Sequence, residues 1–291
     1  MTIAPTLDTT LKGSVDARPM RVVAAGFTDV GRRRAQNEDA YLIAHVERSL
    51  ALDATNLPSV SLPAATPEGT LLVVADGMGG EGSGDVASGL AIESVVASLQ
   101  TFLPFVDRKM AAKSSHASLN DVRAALDTAM VVGDEDVFRA AGRGGNSPTM
   151  GTTLTLAYLL FPVLYVAHVG DSRCYLYRGG SLEQLTHDHT LAEEMARAGE
   201  ERVPDEYKDM LSNALGGGRT GVHPEVSKFG IQRGDCVLLC SDGLSKQLTA
   251  QEIAREIERN ASPRDRCRRL TMLANERGGV DNTTVVIAAV Q

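Results

Sequence analysis

Carboxylates at the ends of short apolar segments are the residues of this chain most able to do chemistry. Each lies close to a glycine or an asparagine, where a strand would turn into a loop. If several of them converge, they repel one another and take up protons unless cations hold them. They are Asp76 after Leu71–Ala75, Asp171 after Leu164–Val169, Asp242 after Cys236–Cys240, Asp281 before Thr283–Val290, and Glu38 with Asp39 before Tyr41–Val46.

This pattern has two interpretations. Any single Asp-Gly or Gly-Asp pair is common in turns, so each carboxylate taken alone fits an ordinary loop. Taken together, and beside runs as apolar as LLVVA and VLLC, the carboxylates favour a shared metal site, because a buried carboxylate without a partner is costly. A donor set of oxygens without histidine or cysteine suits Mg²⁺ or Mn²⁺ rather than zinc.

Strands and helices must bring these carboxylates together. The periodicity predicts helices at Asp85–Phe102, Leu119–Ala141, Thr190–Ala198, Thr249–Asn260 and Pro263–Arg277. Apolar runs predict strands at Val22–Phe27, Tyr41–Val46, Leu71–Ala75, Thr153–Leu160, Leu164–Val169, Cys174–Arg178, Cys236–Cys240 and Thr283–Val290. Very short connections between 153 and 178 predict a meander of antiparallel strands. The fold class expected is therefore α+β, with antiparallel sheet covered by helices.

Composition and charge argue against several classes of protein. The chain has 291 residues, with 29 Lys and Arg against 37 Asp and Glu, for a formal net charge of −8. This balance argues against nucleic-acid binding, which needs a basic surface. We find no apolar run long enough to span a membrane and no signal peptide. The four cysteines fit neither a disulfide framework nor a zinc site, so we expect reduced, buried thiols and a cytoplasmic location.

The chain divides into a tail and one domain. Residues 1–20 are polar and predict a flexible N-terminal tail, and residues 21–291 contain no convincing linker, which predicts one large domain. The proline-rich segment Leu50–Gly69 predicts a long loop inserted between two strands.

A glycine-rich segment raises a competing possibility. Residues Gly77–Gly82 satisfy the G-x-G-x-x-G pattern between a predicted strand and a predicted helix, as in dinucleotide-binding folds. However, Asp76 would place a negative charge beside the pyrophosphate, and no strand ending in an acidic residue follows about 20 residues later. We therefore reject dinucleotide binding.

Eight short motifs occur in order between Gly26 and Val290. They are TDVG, Arg34 and NED within 28–39, DGMGG at 76–80, GTT at 151–153, GDSR at 170–173, LT-x-DH at 185–189, ALG at 214–216, SDGL at 241–244 and DNTT at 281–284. In this order they resemble the PP2C-type (PPM) metal-dependent protein serine/threonine phosphatases in their bacterial form. The resemblance implies a sandwich of two antiparallel β-sheets flanked by α-helices, with metal ions in a cleft at one end.

The resemblance also implies metal ligands. Asp76 would bridge two ions of Mn²⁺ or Mg²⁺, and the Gly77 carbonyl and Glu38 would complete one of the two sites. Asp242 and Asp281 would hold the other ion, partly through water. Two such ions about 3.5–4 Å apart activate a water molecule and stabilise in-line displacement at phosphorus.

Three further roles follow from the same resemblance. Arg34 would grip the substrate phosphate, since a guanidinium forks onto two phosphate oxygens. Asp39 would order metal-bound water. Asp171 with Asp242 would offer a third, weaker metal position.

One motif departs from the family pattern. Many members have a histidine directly after this Asp-Gly, as a candidate general acid, whereas this chain has Met78, which cannot donate a proton. We assign no general acid, and we expect His187 and His189 to be structural. The segment Thr190–Leu211 resembles the mobile flap beside the family's cleft.

The implied activity is hydrolysis of phosphoserine and phosphothreonine in proteins by a metal-activated water. A cognate Ser/Thr kinase is the implied partner, and we expect a monomer that binds neither nucleic acid nor membrane. Two alternatives stay open. One is a catalytically silent phosphoprotein-binding module on the same fold, and the other is a metallohydrolase acting on small phosphoesters.

Overall fold

Twelve strands, six α-helices and one 3-10 helix at Asp205–Tyr207 lie in the part of the chain that the computed structural model describes, residues 20–48, 66–79, 82–102, 116–200 and 202–291. The strands are β1 Val22–Asp29, β2 Asp39–Arg48, β3 Thr66–Met78, β4 Gly151–Thr152, β5 Leu154–Leu160, β6 Val163–Val169, β7 Arg173–Arg178, β8 Ser181–Gln184, β9 Leu215–Gly216, β10 Glu225–Gly230, β11 Cys236–Cys240 and β12 Thr283–Val290. The helices are α1 Gly84–Phe102, α2 His116–Ala140, α3 Leu191–Arg197, α4 Asp242–Ser245, α5 Ala250–Glu258 and α6 Pro263–Glu276. The predicted tail lies outside the described residues except for Met20, as does the predicted loop up to residue 65.

The strands form two antiparallel sheets. One has the order β1-β12-β11-β7-β8. In the other, β10, β6, β5 and β3 follow one another, and β2 pairs with the free edge of β3. Two short strands, β4 and β9, extend this second sheet beside the last residues of β3. The carboxyl end of β3 therefore has strands on both sides, and Asp76 lies there.

The core between the sheets explains why several strands read as unbroken apolar runs. Along β3, Leu72 and Val74 point into the layer between the two sheets, while Leu71 and Val73 point to the opposite face and pack under helices. The side chains of β11 likewise alternate between the layer between the sheets and the face that packs under helices. Because both faces of these strands are buried, hydrophobic residues occupy every position instead of alternate ones.

Helices cover both outer faces. Residues of α1 and α2 pack on the second sheet, and residues of α4, α5 and α6 pack on the first. Capping side chains fix where the last two helices begin: Thr249 and Glu252 form a capping box at α5, and Ser262 caps α6 before Pro263. The predicted sandwich of two antiparallel sheets flanked by helices is confirmed.

The predicted meander is wrong in one connection. β5 and β6 form the expected hairpin, but β7 pairs with β8 and β11 in the other sheet. The connection 170–172 therefore crosses between the sheets. Gly170 makes the crossing possible, because its φ of 108° lies in a region that other residues avoid, and a Cβ there would lie 2.5 Å from Thr153. A short connection limits the distance between two strands, not the sheet in which the second one pairs.

Helix and strand predictions otherwise agree with the structure to within a few residues. The strands at Cys236–Cys240 and Thr283–Val290 have the predicted bounds, and the helix predicted at Asp85–Phe102 begins one residue earlier. The sequence analysis does not predict the strands β4, β8, β9 and β10 or the one-turn helix α4, and β3 begins at Thr66, inside the segment predicted as a loop. All four cysteines are buried and free, as expected. None of the helices in the described residues is long and apolar enough to cross a membrane.

Candidate metal centre

The strand pair β2–β3 places two aspartates side by side. Asp39 opens β2 directly opposite Asp76 near the end of β3. The backbone of Asp76 is fixed by its neighbours: its carbonyl accepts from the Thr152 hydroxyl at 2.9 Å and the Thr153 amide at 2.9 Å, and its amide donates to Thr153 Oγ1 at 3.0 Å. These bonds leave the Asp76 carboxylate free to face the space beyond the sheet edge.

Asp39 links the two sheets. Its Oδ2 accepts hydrogen bonds of 2.7 Å from the hydroxyls of Ser241 and Thr284. Ser241 directly follows β11 and Thr284 lies in β12, and both strands belong to the other sheet. Its Oδ1 is buried and has no hydrogen-bond partner among the described residues. A buried carboxylate oxygen without a donor is costly, so this atom is suited to accept from water or to bind a cation.

Asp242 and Asp171 approach the same space from other elements. Asp242 is the first residue of α4 and is separated from β11 by Ser241, and Asp171 follows β6 at the crossing between sheets. Asp242 Oδ2 lies 2.6 Å from the Lys246 ammonium, while Asp242 Oδ1 is buried without a partner. The same ammonium lies 4.0 Å from Asp171 Oδ2 and 2.5 Å from Asp209 Oδ1.

The loop before β2 completes this end of the molecule. Glu38 Oε1 accepts from the amide of Gly84, the first residue of α1, at 3.2 Å. Gly77 has no room for a side chain, because a Cβ there would lie 2.0 Å from the Gly84 carbonyl oxygen. The Asn282 side chain holds the loop in place by accepting from the Glu38 amide and donating to two loop carbonyls.

Arg34 lies at the mouth of this region. Its guanidinium donates to Asp281 Oδ2 at 2.7 Å, and half of its side chain is exposed, at 51%. A half-exposed guanidinium with donors left over can bind an incoming phosphate while Asp281 orients it.

Seven of the eight predicted site residues line one cleft of about 810 Å³. The eighth, Asp39, is buried beneath it. We call this space the acidic cleft. The predicted residues on its wall are Arg34, Glu38, Asp76, Gly77, Asp171, Asp242 and Asp281. Met78 lies on the wall as well.

Burial and mutual repulsion disfavour the charged state of these carboxylates. Burial raises the pKa of Asp39 from the usual 3.8 to about 7, and nearby Asp242 and Asp281 add to the rise. Burial, with repulsion from Asp242, likewise raises the pKa of Asp171 to about 7. The pKa of Asp76 is raised by burial and then by Asp39 and Asp242. Carboxylates in this condition bind divalent cations readily, because a cation removes the repulsion that raised their pKa values.

The donor set fits hard divalent cations. In the described residues no three Asp, Glu, His or Cys side chains converge closely enough to hold a metal ion by themselves. Carbonyl and water oxygens would have to complete the coordination, and Mg²⁺ in particular keeps several water ligands. Besides the raised pKa values, the unpartnered oxygens of Asp39 and Asp242 indicate a site suited to cations.

Two residues that sequence reasoning missed also lie in the cleft. Although burial alone would lower the pKa of the Lys246 ammonium, the carboxylates of Asp242, Asp209 and Asp171 raise it above its usual range. Lys246 lies four residues after Asp242, so the helical spacing could have indicated the contact. Asp209 could not be placed, because it lies in the irregular chain between α3 and β9.

The segment that resembles a flap lies beside the cleft. Thr190 and Leu211 form an isolated bridge that closes the segment, and Asp209, Met210 and Leu211 reach the cleft wall. His187 and His189 bind Glu225 instead, at 3.0 and 3.8 Å, and neither lies on the wall of the acidic cleft. Their contacts fit the expected structural role.

Comparison with known proteins gives one consistent result. The family model described as protein phosphatase 2C matches residues 62–275. Protein phosphatase PhpP of Streptococcus pneumoniae strain D39 is 28% identical over 267 residues, which cover 90% of this chain and 95% of PhpP.

Solved structures agree with the family match. The S. agalactiae serine/threonine phosphatase superposes with a TM-score of 0.74 at 26% identity and covers 93% of this chain and 100% of that chain. The catalytic domain of the phosphatase PstP, solved with two manganese ions, superposes with a TM-score of 0.69 at 30% identity, covering 94% of this chain and 99% of that chain. On the family match, the fold and the acidic cleft together, the chain belongs to the protein phosphatase 2C family.

Proposed function

We propose that this chain hydrolyses phosphoserine and phosphothreonine in proteins and that it requires two divalent cations, Mn²⁺ or Mg²⁺, in the acidic cleft. The observation that carries the proposal is a cleft lined by five of the predicted carboxylates, with buried unpartnered oxygens on Asp242 and on the underlying Asp39 and with a half-exposed arginine beside them. The names of the compared proteins support the substrate class, and the two manganese ions of the PstP structure support the metal class.

The proposed ligands come from both sheets. Asp76 would bridge the two ions, with Glu38 and the Gly77 carbonyl on one side and Asp242 and Asp281 on the other. When bound, such a pair of ions supplies an activated water and positive charge for the oxygens of the phosphate.

The chain's own residues then have distinct tasks. Arg34 binds the phosphate through its fork of N–H donors, held in direction by Asp281 at 2.7 Å. Asp39 is anchored by two hydroxyl donors through Oδ2, so its Oδ1 is oriented to accept a hydrogen bond from water. Met78 has no proton to donate, and we assign no general acid for the departing serine or threonine oxygen.

The remaining parts of the proposal concern the biological setting. Phosphoproteins modified by a cognate Ser/Thr kinase would be the substrates, because the reaction reverses the product of such a kinase. We propose a monomer, working in the cytoplasm, with one domain over residues 21–291 and a tail before it. Neither nucleic acid nor membrane is an expected partner.

The test is release of phosphate from a phosphothreonine peptide. We expect turnover with Mn²⁺, none with EDTA, and losses of about a thousandfold for Asp76→Asn and Asp242→Asn. Asp136→Asn is the matched control, because Asp136 pairs with Arg139 on the surface of α2 and should leave turnover unchanged. Peptide binding without turnover would replace the proposal with a silent binding module. Faster turnover of small phosphoesters than of any phosphopeptide would indicate a small-molecule hydrolase.

A further inference from the structure

Lys246 places a positive charge inside the acidic cleft. It directly follows the one-turn helix α4, and its backbone amide donates to the Asp242 carbonyl at 2.8 Å. Its ammonium lies 2.6 Å from Asp242 Oδ2, 2.5 Å from Asp209 Oδ1 and 4.0 Å from Asp171 Oδ2. The side chain is 41% exposed and lines the wall of the acidic cleft.

The local fold keeps Lys246 in this position. Residues four apart on a helix share a face, so α4 presents Asp242 and Lys246 to the same side. The turn itself has little freedom, because a Cβ on Gly243 would lie 2.0 Å from the Asn282 carbonyl oxygen. The lysine stem is the flexible part, and its ammonium has three carboxylates within reach.

A protonated lysine and a divalent cation compete for the same carboxylates. An ammonium has three donors and no lone pair, so it cannot act as a ligand to a metal ion. It also repels a divalent ion at short range. Asp171 and Asp242 are the pair that would offer a third metal position, and the ammonium of Lys246 contacts Asp242 directly while approaching Asp171.

The third carboxylate gives the lysine a second effect. Asp209 belongs to the segment Thr190–Leu211, and its neighbours Met210 and Leu211 lie on the cleft wall. The Asp209 side chain is 71% exposed, so burial does not fix its carboxylate, and the 2.5 Å contact with Lys246 connects it to the cleft. The lysine thus joins α4, which carries a proposed metal ligand, to the flap-like segment beside the cleft.

We propose that Lys246 is a built-in cation that replaces a third divalent ion between Asp171 and Asp242 and ties the segment Thr190–Leu211 to the cleft through Asp209. The proposal rests on the proposed function, because it assumes two divalent ions in the same cleft. It also makes Lys246 a positioning residue, since it acts through the carboxylates it contacts.

The first test counts bound metal. Equilibrium dialysis against Mn²⁺ with elemental analysis should give two ions per chain for the wild type. Lys246→Met, which keeps the length of the stem and removes the charge, should bind a third ion at least about tenfold more tightly than the wild type does. Lys208→Met is the matched control, because Lys208 pairs with Asp205 on the exposed surface nearby, and it should still bind two.

The second test follows the flap-like segment. In the metal-free protein, amide hydrogen exchange in residues 202–211 should be at least about threefold faster in Lys246→Met and in Asp209→Asn than in the wild type. Asp209→Asn should still bind two Mn²⁺ ions, because Lys246 keeps its contact with Asp242. The two variants therefore separate the effect on metal number from the effect on the segment.

Several outcomes would overturn the proposal. Equal ion number and equal affinities in the wild type and Lys246→Met would show that Lys246 does not take the place of a third ion. Unchanged hydrogen exchange in both variants would show that the contact between Lys246 and Asp209 does not hold the segment. If Lys246→Met unfolds, Lys246→Gln takes its place with the same expected results. Failure of the wild type to bind any Mn²⁺ would instead overturn the proposed function, and with it this proposal.

Discussion

Two buried aspartates in different parts of the molecule have opposite surroundings. Asp235, in the turn before β11, is 2% exposed, and its oxygens accept three hydrogen bonds: two from the Arg178 guanidinium at 2.8 and 2.7 Å and one from the Gln232 amide at 2.8 Å. Asp39, beneath the acidic cleft, is 9% exposed and has two hydroxyl donors on one oxygen and none on the other.

A third buried aspartate follows the pattern of Asp235. Asp134 on α2 accepts from the amides of Gly216, Gly221 and Val222 at 2.8, 3.2 and 3.4 Å, and so fixes the loop around β9. Where a carboxylate serves the fold, the chain supplies its donors. In and beneath the cleft, Asp39 and Asp242 each keep one buried oxygen without a donor, so that oxygen is available to water or to a cation. On the proposed function, this difference separates structural carboxylates from those that bind metal or order water.

Removing a cleft carboxylate should affect activity and spare the metal-free fold. We expect Asp76→Asn to lower kcat/KM on a phosphothreonine peptide by at least about a thousandfold with Mn²⁺, because both proposed ions lose their bridging ligand. The free energy of unfolding in EDTA, measured with urea, should stay the same or rise, because a buried charge that repels its neighbours is gone. A variant that keeps more than about a tenth of the activity, or that is clearly less stable without metal, would contradict the comparison.

The pH dependence of stability should differ between metal-free and metal-loaded protein. The pKa values of Asp39 and Asp171 are raised from 3.8 to about 7, so between those values the folded state holds more protons than the unfolded state. Stability of the metal-free protein should therefore fall as pH rises from about 4 to about 7, by about 1.4 kcal/mol per pH unit for each extra proton held. Mn²⁺ should remove this fall, because bound cations replace the protons.

Urea unfolding with EDTA and with Mn²⁺ across this pH range measures the effect. His168, whose pKa burial lowers from 6.5 to about 4, acts in the opposite direction but equally in both series, so the difference between the series isolates the cleft. Asp39→Asn should reduce the fall in the metal-free series. Parallel curves with and without Mn²⁺ would show that the cleft carboxylates are not the source.

Removing a structural carboxylate should lower stability and leave activity unchanged, and the change should be smaller than that expected for Asp76→Asn. We expect Asp235→Ala to lower the free energy of unfolding by about 2 kcal/mol, because the Gln232 amide and the partly exposed Arg178 lose their acceptor. The value of kcat/KM per folded molecule should not change. Urea unfolding and peptide turnover on the same preparation measure both quantities, and a loss of turnover without a loss of stability would refute the division into two kinds of carboxylate.

Much of the acidic cleft could be predicted from the sequence, because its parts are local. Asp76 and Asp242 follow apolar strands, and the ends of strands are recognisable from glycine and from the change in hydrophobicity. The family resemblance indicates that these carboxylates share one metal site, which their spacing along the chain alone does not show. Contacts between residues far apart in the chain, such as the hydroxyls of Ser241 and Thr284 on Asp39, have no signature in either stretch of sequence.

The features that escaped prediction depend on tertiary structure. Strand β10 has a mixed burial pattern and is held by pairing with β6, so its sequence is weakly strand-like on its own. The passage of the chain from β6 to β7 depends on Gly170, whose identity marks a turn but does not show in which sheet the next strand pairs. The position of Asp209 depends on how an irregular segment packs, which no local pattern encodes.

The central place of β12 has a consequence for how the protein is made. This strand is the last element along the described chain, yet it pairs between β1 and β11 and carries Thr284, with Asp281 just before it. A ribosome that has completed β11 and Asp242 has still not made these residues. The cleft therefore cannot form before β12 has been synthesised, and a nascent chain that ends earlier lacks Asp281 and Thr284. Catalysis can begin only once β12 has entered the middle of its sheet.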